Sequence, residues 1–285
     1  MIIVKMQGGL GNQLFCYAYA KALQKNGYDV KIDTSVFQFN KIDKYELDKY
    51  NIDLPPSTQD EKNEIFNNSF LSKALRRFGI DISKQVLEKS FLYSKTFMSP
   101  MDKKYISGFF QSEKYFLEIR EILLKQITIN RPLSSFTIAT SEHIKKSRNS
   151  CSIHVRRGDM LNRKNINIHG ICSLDYYYNS MNLIEHHQGP QQYFIFSDDI
   201  DWCKSNLAIN NATYVNSSED RIPHEDIYLM SLCSNNIIAN STFSWWGAWL
   251  NNNKHKFITA PKKWFADQKL QSQSHDIVPK SWKRV

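Results

Sequence analysis

Strand and helix patterns alternate regularly through the second half of the chain, and this alternation limits the possible folds more than any other feature. Five apolar runs of strand length, CSIHV, YFIF, ATYV, NIIA and KFITA, are separated by segments with helical patterns. Parallel strands need such crossover connections, which are usually helices. The pattern therefore predicts a parallel α/β sheet with helices on both faces over residues 149–285.

The first half predicts a second α/β domain with a less regular pattern. Residues 2–6 are typical of a strand, and residues 12–25 have the apolar spacing of a helix that ends at an Asn-Gly pair. Residues 104–116 predict a strand, a turn and the start of a helix. Residues 34–70 are polar and are predicted to be irregular. We place the boundary between the two domains, 1–148 and 149–285, near residue 148.

The charge balance favours an anionic partner. The 285 residues include 37 Lys and Arg against 28 Asp and Glu, a net charge of +9. The basic residues are scattered rather than clustered on one helix or arm, so no nucleic-acid partner is expected. The segment LSKALRRFGI at 71–80 is the local exception. It could lie on an anionic membrane surface, or it could be an ordinary solvated helix face.

Cysteine usage and the lack of long apolar runs indicate a cytoplasmic protein. The five cysteines are odd in number and contain no C-x-x-C pair, which argues against a disulfide framework and a zinc site. No apolar run approaches the roughly 20 residues that span a bilayer. The first residues lack a secretory pattern. We therefore expect a cytoplasmic location, with peripheral contact on the inner face of the membrane if the segment at 71–80 binds lipid.

Three polar clusters, HVRRGD, SDD and NSTFS, directly follow three of the predicted strands. The carboxyl ends of parallel strands share one edge of a sheet, so these clusters should converge. Arg156 and Arg157 carry planar groups suited to phosphate oxygens. The start of the helix after NIIA offers N–H groups and a positive dipole end. Because the G-x-x-x-x-G-K-[ST] motif is missing, the predicted ligand is a nucleoside diphosphate carrying another group, most commonly a sugar.

Several residues of these clusters have competing interpretations. Asp198 ends a strand and could accept hydrogen bonds from a base or a ribose, whereas Asp199 could equally be a helix cap. Trp245 could stack on a sugar or belong to the core, and Trp246 and Trp249 are predicted core residues. No spacing of Asp and His elsewhere supports a metal site, so no metal is expected.

The glycine-rich GGLGNQ at 8–13 also has two interpretations. Small residues such as Gly11 let a ligand approach the backbone closely. Gly9, Gly11 and a following Asp33 nearly match the dinucleotide fingerprint, although Leu14 occupies the third glycine position. An NAD(P)-dependent oxidoreductase is therefore an alternative. A sugar-binding module that uses the tryptophans is another.

Together, the motifs GGLGNQLF, GFFQSEKYF, HVRRGD, HGICS, FSDD and NSTFSWWGAWL resemble those of the bacterial α-1,2-fucosyltransferases of glycosyltransferase family 11, in the same order. The resemblance implies a GT-B-type fold of two facing Rossmann-like domains. It implies an inverting transfer of fucose from GDP-fucose to the 2-hydroxyl of a β-galactoside without a metal or other cofactor, in the synthesis of a surface glycan such as O-antigen. The acceptor could be lipid-linked, and transfer of another GDP-sugar remains an alternative.

The resemblance also suggests roles for particular residues. Arg156 should hold the β-phosphate, Ser244 should touch the diphosphate and Asp198 should contact guanine. Met160 and Cys16 depart from the residues common in the family and leave the acceptor open. The candidate catalytic residues are Arg156, His154 and Asp159, with Glu225 and Asp226 as further candidates for the general base; Asp159 could instead anchor the arginines. The predicted donor-binding residues are Gly11, Asn12, Arg156, Arg157, Asp198, Asn240, Ser241, Thr242, Ser244 and Trp245.

Overall fold

The computed structural model describes residues 1–39, 43–66, 84–100, 103–215 and 222–285. Within these residues the chain forms two compact units, Met1–Ile127 and Thr128–Val285. The basic segment at 71–80 lies outside the described residues. In the described part of the chain, no helix is both long and apolar enough to cross a membrane.

The first unit contains a four-stranded parallel sheet with the strand order β2-β1-β4-β3. Its strands are β1 Ile2–Lys5, β2 Val30–Asp33, β3 Gln85–Leu87 and β4 Lys104–Ser107. Its described α-helices are α1 Leu10–Lys25, α2 Gln59–Phe66 and α3 Arg120–Gln126. Short 3₁₀ segments lie at Ser35–Gln38, Leu47–Lys49, Lys95–Met98, Glu113–Tyr115 and Leu117–Ile119.

The predicted strand and helix at the start of the chain are confirmed, but the prediction of irregular structure over 34–70 is wrong for α2. Only Lys62 and Ile65 of this helix are buried, so its apolar pattern is too weak to predict it. Its start does carry a signal. Thr58 and Glu61 form a reciprocal capping box, with backbone-to-side-chain hydrogen bonds of 2.8 Å and 3.2 Å.

The second unit contains a six-stranded parallel sheet with the strand order β10-β9-β8-β5-β6-β7. Its strands are β5 Ser150–Val155, β6 Gln192–Ser197, β7 Ala212–Tyr214, β8 Asn235–Ile237, β9 Ile258–Ala260 and β10 Lys283–Arg284. Its described α-helices are α4 Ser135–Lys146, α5 Arg163–Ile168, α6 Leu174–Gln188, α7 Ile200–Asn206, α8 Pro223–Leu232, α9 Thr242–Leu250 and α10 Gln268–Ser272, and a 3₁₀ turn spans Asp159–Leu161.

All five strands predicted in the second half are present and parallel, and β5 lies at the centre of the sheet. Every residue of β5 is buried, as expected of a strand covered on both faces. The chain runs outward from β5 through β6 to β7, then crosses back to β8 on the other side. This is the Rossmann strand order, and ligands of such sheets bind at the carboxyl ends of the strands where the direction reverses. Here that point lies between β5 and β8.

The second unit begins earlier than the sequence boundary at residue 148, because α4 belongs to it. Ser134 precedes this helix and caps it by accepting from the Thr137 amide. Its hydroxyl also donates to Glu225 in the first turn of α8, at 2.6 Å, and the Thr137 hydroxyl donates to the same carboxylate. A carboxylate on α8 therefore binds the start of α4 to the second unit.

Candidate active site

Arg156 lies directly after β5 and is held between two carboxylates. One guanidinium nitrogen lies 2.5 Å from Asp159 Oδ1, and the other lies 2.9 Å from Asp198 Oδ2. The Arg156 side chain nevertheless keeps 30% of its surface exposed. It is therefore a fixed cation that an anion can still approach. The interpretation of Asp159 as an anchor for the arginines agrees with this contact.

Arg157 is more deeply buried than Arg156. Its Nε donates to Asp199 Oδ2 at 3.1 Å, and its guanidinium lies 3.7 Å from the centre of the Trp202 ring. Asp199 also caps α7 by accepting from the Trp202 amide, which confirms the helix-cap interpretation of this residue. The Arg157 guanidinium thus stacks on an aromatic face and stiffens the start of α7.

Asp198 connects two of the three predicted clusters. Its Oδ1 accepts from the Arg157 amide at 2.8 Å, while its Oδ2 faces Arg156. Oδ1 is therefore hydrogen-bonded and Oδ2 forms an ion pair, and the expected contact with guanine would have to compete with these interactions. Gly158 makes the approach possible, because a Cβ there would lie 2.8 Å from Asp198 Oδ2.

The third cluster forms the start of α9, next to the carboxyl end of β8. Ser241 caps the helix by accepting from the Phe243 amide, and both Ser241 and Thr242 are half-buried. Ser244 is buried, and its hydroxyl donates to the Ser241 carbonyl. Since β5 and β8 are paired neighbours, the start of α9 and the Arg156 loop follow adjacent strands. The Arg156 loop and the start of α9 are the two positively charged features predicted to bind the diphosphate. Both therefore lie at the same edge of the sheet.

Two predicted donor-binding residues have structural roles here. The Asn240 amide is buried and donates to the carbonyls of His169 and Trp264, so it joins loops. Trp245 is fully buried, and its Nε1 donates to the Ile277 carbonyl at 2.7 Å. Its ring packs among those of Trp246, Trp249 and Trp282. Trp245 is thus a core residue without an exposed face for a sugar, which corrects its assignment to the donor site.

The candidate bases differ in exposure. Asp159 is exposed, whereas His154 is buried in β5 with its ring beside Phe243, and Asp226 is buried in α8. Glu225 is also buried. Burial raises its pKa, but the hydrogen bonds from the start of α4 outweigh this effect and hold the pKa below its usual value. Glu225 is therefore an ionised carboxylate whose two oxygens bind the start of α4.

The carboxyl edge of the first unit's sheet carries the glycine-rich motif. Gly11 is buried in the first turn of α1, and the half-buried Asn12 accepts from the Gln111 amide at 2.9 Å. Asp33 lies at the end of β2, where its carboxylate binds Lys62 at 3.1 Å and the Tyr105 hydroxyl at 2.8 Å. Burial raises the Asp33 pKa, but its hydrogen bonds outweigh that effect and lower it.

Comparison with known proteins decides the family. The sequence model described as Glycosyl transferase family 11 matches residues 43–285. An Escherichia coli protein named alpha-1,2-colitosyltransferase is 34% identical over all of this chain and 99% of its own length. The O-antigen biosynthesis glycosyltransferase WbnK of E. coli is 34% identical over 92% of this chain and 94% of its own length.

The chain belongs to glycosyltransferase family 11. The predicted fold class is confirmed as GT-B, with two parallel-sheet α/β units. The crystal structure of NodZ alpha-1,6-fucosyltransferase soaked with GDP-fucose shares this fold, with a TM-score of 0.50 over 87% of this chain and 91% of that one at 13% identity. Membership of a glycosyltransferase family argues against the alternative of an NAD(P)-dependent oxidoreductase. In agreement, the Asp33 carboxylate already accepts hydrogen bonds from Lys62 and Tyr105.

Two residues that contact predicted site residues, one in each unit, were not assigned from the sequence. Trp202 supports Arg157, and an aromatic residue one turn after SDD was the available signal. Gln111 contacts Asn12 from a loop far away in sequence, and only its place in the GFFQ segment pointed to it. Across the described ranges, no group of three or more His, Cys, Asp or Glu side chains is placed to hold a metal ion.

Proposed function

We propose that this family 11 glycosyltransferase moves L-fucose from GDP-fucose to the 2-hydroxyl of a terminal β-galactoside, with inversion, in the synthesis of a surface glycan such as O-antigen. The single observation that carries the proposal is the fixed and partly exposed Arg156 at the reversal point of the second sheet. The names of the two E. coli relatives support an α-1,2 linkage and a role in O-antigen synthesis.

In the proposed reaction, the acceptor oxygen forms a bond to the anomeric carbon of fucose while the bond from that carbon to the β-phosphate oxygen breaks. The acceptor hydroxyl loses its proton to a base, and GDP leaves with the bonding electrons. Negative charge grows on the β-phosphate as this bond breaks. Arg156 and the amide groups at the start of α9 then bind the transition state more tightly than the bound donor.

The acidic neighbours of Arg156 suit this role. Asp159 and Asp198 orient the guanidinium before the donor arrives, so little reorganisation is needed during the reaction. Asp159 is the exposed carboxylate among the four candidate bases. Arg156 and the amide groups at the start of α9 supply positive charge to the leaving diphosphate, and we propose that transfer needs no metal.

Replacement of Arg156 by Ala should lower the transfer rate by about 10²–10³-fold, equivalent to about 2.7–4 kcal/mol, as for the loss of one donor to a developing oxyanion. The measurement is trisaccharide formation from GDP-fucose and lactose, with and without EDTA. Arg163→Ala is the matched control, because Arg163 is an exposed arginine in the following helix. Product that survives EDTA, is lost in the Arg156 variant and persists in the control supports the proposal.

The first relative's name makes colitose the second candidate sugar, so GDP-colitose is assayed beside GDP-fucose. A preference for GDP-colitose would replace fucose in the proposal while keeping the site. If neither donor reacts and GDP fails to raise the melting temperature, the nucleotide assignment itself is wrong.

A further inference from the structure

The carboxyl edge of the first unit's sheet carries a second polar cluster, apart from Arg156. Gly8 follows β1, Glu88 follows β3 and Gly108 follows β4. The strands β1, β4 and β3 are neighbours in that order, so these positions share one edge. Loops at the carboxyl ends of parallel strands are where ligands of α/β sheets bind.

The loop after β4, residues 108–112, is held in place from several sides. Glu88 Oε2 accepts from the amides of Phe109 and Phe110 at 2.7 Å and 2.9 Å. The Gly108 carbonyl accepts from Gln7 Nε2 at 3.0 Å, and a Cβ on Gly108 would lie 2.5 Å from the Glu88 Cβ. The loop therefore has one well-defined path beside the carboxylate.

Phe110 adds a further constraint, because it has a φ of 51° in the left-handed region. Non-glycine residues rarely adopt this conformation unless their surroundings enforce it. The Phe110 ring stacks on Tyr19 of α1 with centroids 3.8 Å apart. The backbone turns sharply here, and the next residue, Gln111, is directed to a fixed position.

Gln111 is buried to 6% exposure, and its Nε2 donates to Asn12 Oδ1 at 2.9 Å. In this bond the Asn12 oxygen points to Gln111, and its Nδ2 is left as a donor. No acceptor is paired with that Nδ2 among the residues that the structure describes, and Asn12 is only half-buried. The amide group lies against Gly8, where a Cβ would come within 2.7 Å of Nδ2.

We propose that Gln111 is a positioning residue which orients the Asn12 amide so that its Nδ2 donates a hydrogen bond to a substrate oxygen, either a sugar hydroxyl or a phosphate oxygen. The loop that Glu88 holds fixes Gln111 in turn. This inference rests on the proposed transferase function and gives the predicted donor-binding residue Asn12 a partner that orients it.

The test compares Gln111→Leu, Asn12→Ala and the double variant with the wild type. Each single variant should lower kcat/KM about tenfold, as expected for the loss of one ordinary hydrogen bond. The double variant should be no worse than Asn12→Ala, because Gln111 acts through Asn12. Melting temperatures are measured in parallel. Gln24→Leu is the matched control, since Gln24 is a half-buried residue of α1 whose partner is Lys21.

The KM values for the two substrates show whether the oxygen that Asn12 contacts belongs to the acceptor or to the donor. A raised KM for lactose with an unchanged KM for GDP-fucose assigns Asn12 to the acceptor, and the reverse assigns it to the donor. Either result supports the inference. Wild-type kcat/KM in Gln111→Leu, or losses that multiply in the double variant, would overturn it.

Direct measurements of ligand binding distinguish a failure of this inference from a failure of the proposed transferase function. GDP-fucose and lactose are each titrated calorimetrically into the wild type and Gln111→Leu. An inactive wild type removes the proposed function. If the affinity of both ligands is also unchanged in Gln111→Leu, the positioning inference fails as well, whereas a selective loss of one ligand supports it even without turnover.

Discussion

At the residue scale, the charges after β5 are arranged by their neighbours before a substrate binds. Arg156 has two carboxylate partners and Arg157 has a carboxylate and an aromatic ring. The two arginines are adjacent in sequence but differ in exposure, with 30% and 16% of their side chains accessible. Arg156 is thus the better placed of the two to meet a phosphate, and Arg157 is the better placed to support the loop.

Gly158→Ala should lower kcat/KM for transfer by about 10–100-fold, in the range of one hydrogen bond to a charged group. The added Cβ would lie 2.8 Å from Asp198 Oδ2, so the carboxylate must move away from Arg156. The steady-state assay measures the effect, and the melting temperature should change little because Gly158 is exposed.

The comparison with Asp198→Ala shows whether the effect passes through that carboxylate. The double variant should be no worse than Asp198→Ala alone. Additive losses, or full activity in Gly158→Ala, would contradict the explanation by displacement.

At the element scale, the helix starts around the site use the local signals that their sequences carry. Ser173 caps α6, Asp199 caps α7 and Ser241 caps α9, each by a side-chain oxygen that accepts from an amide in the first turn. The start of α4 combines such a cap with a partner from another element, because Ser134 both caps α4 and donates to Glu225 of α8.

Glu225→Gln should lower the free energy of unfolding at pH 7 by about 1–3 kcal/mol, because charge-assisted hydrogen bonds to the start of α4 are weakened. The pKa of Glu225 is lowered in the folded protein, so its stabilising effect is present above the usual value of 4.5 and is lost as the pH falls through the lower folded value. The difference between wild type and variant in urea unfolding should therefore shrink below pH 4.5.

Glu142→Gln is the matched control for this variant. Glu142 lies on α4, and its exposed side chain is 4.0 Å from Lys146. Exposed pairs of this kind contribute about 0–1 kcal/mol. A constant difference between wild type and Glu225→Gln across the pH range would show that Glu225 does not act as an ionised cap.

At the scale of the whole molecule, the cysteines are distributed through the interior of both units. Cys16, Cys151, Cys203 and Cys233 are buried free thiols, and Cys172 is half-buried. Burial is the largest cause that raises the pKa of Cys16 to about 12 and of Cys172 to about 11. The thiolate is the reactive form, so both burial and these pKa values suppress reaction near neutral pH.

The folded protein should therefore react slowly with Ellman's reagent at pH 8, and the unfolded protein should release five equivalents at once. The half-buried Cys172 should be the first to react. Fewer than five thiols in the unfolded protein would reveal a disulfide. Rapid reaction of several thiols in the folded protein would show that these sites open easily.

Much of the second unit could be predicted because its signals are local. Neighbouring residues are enough to predict the short apolar strands, the capping residues and the polar clusters after the strands. The parallel sheet then brings those clusters to one edge. The function of Trp245 could not be decided in this way. Trp246 and Trp249 are predicted core residues, but the pattern leaves Trp245 open between the core and a sugar platform. The Ile277 carbonyl and the ring of Trp282 enclose its indole and decide for the core.

Periodicity and residue chemistry predict the parallel α/β sheet of the second unit, the order of its strands along the chain and the residues that carry the positive charge, and the resemblance to family 11 adds the GT-B fold class. The folded structure is needed to show which carboxylates hold Arg156, that Glu225 binds the start of α4, and that Gln111 donates to the Asn12 amide oxygen. These contacts join residues 3 to 99 positions apart, so side-chain direction and loop geometry select each partner from many chemically equivalent ones.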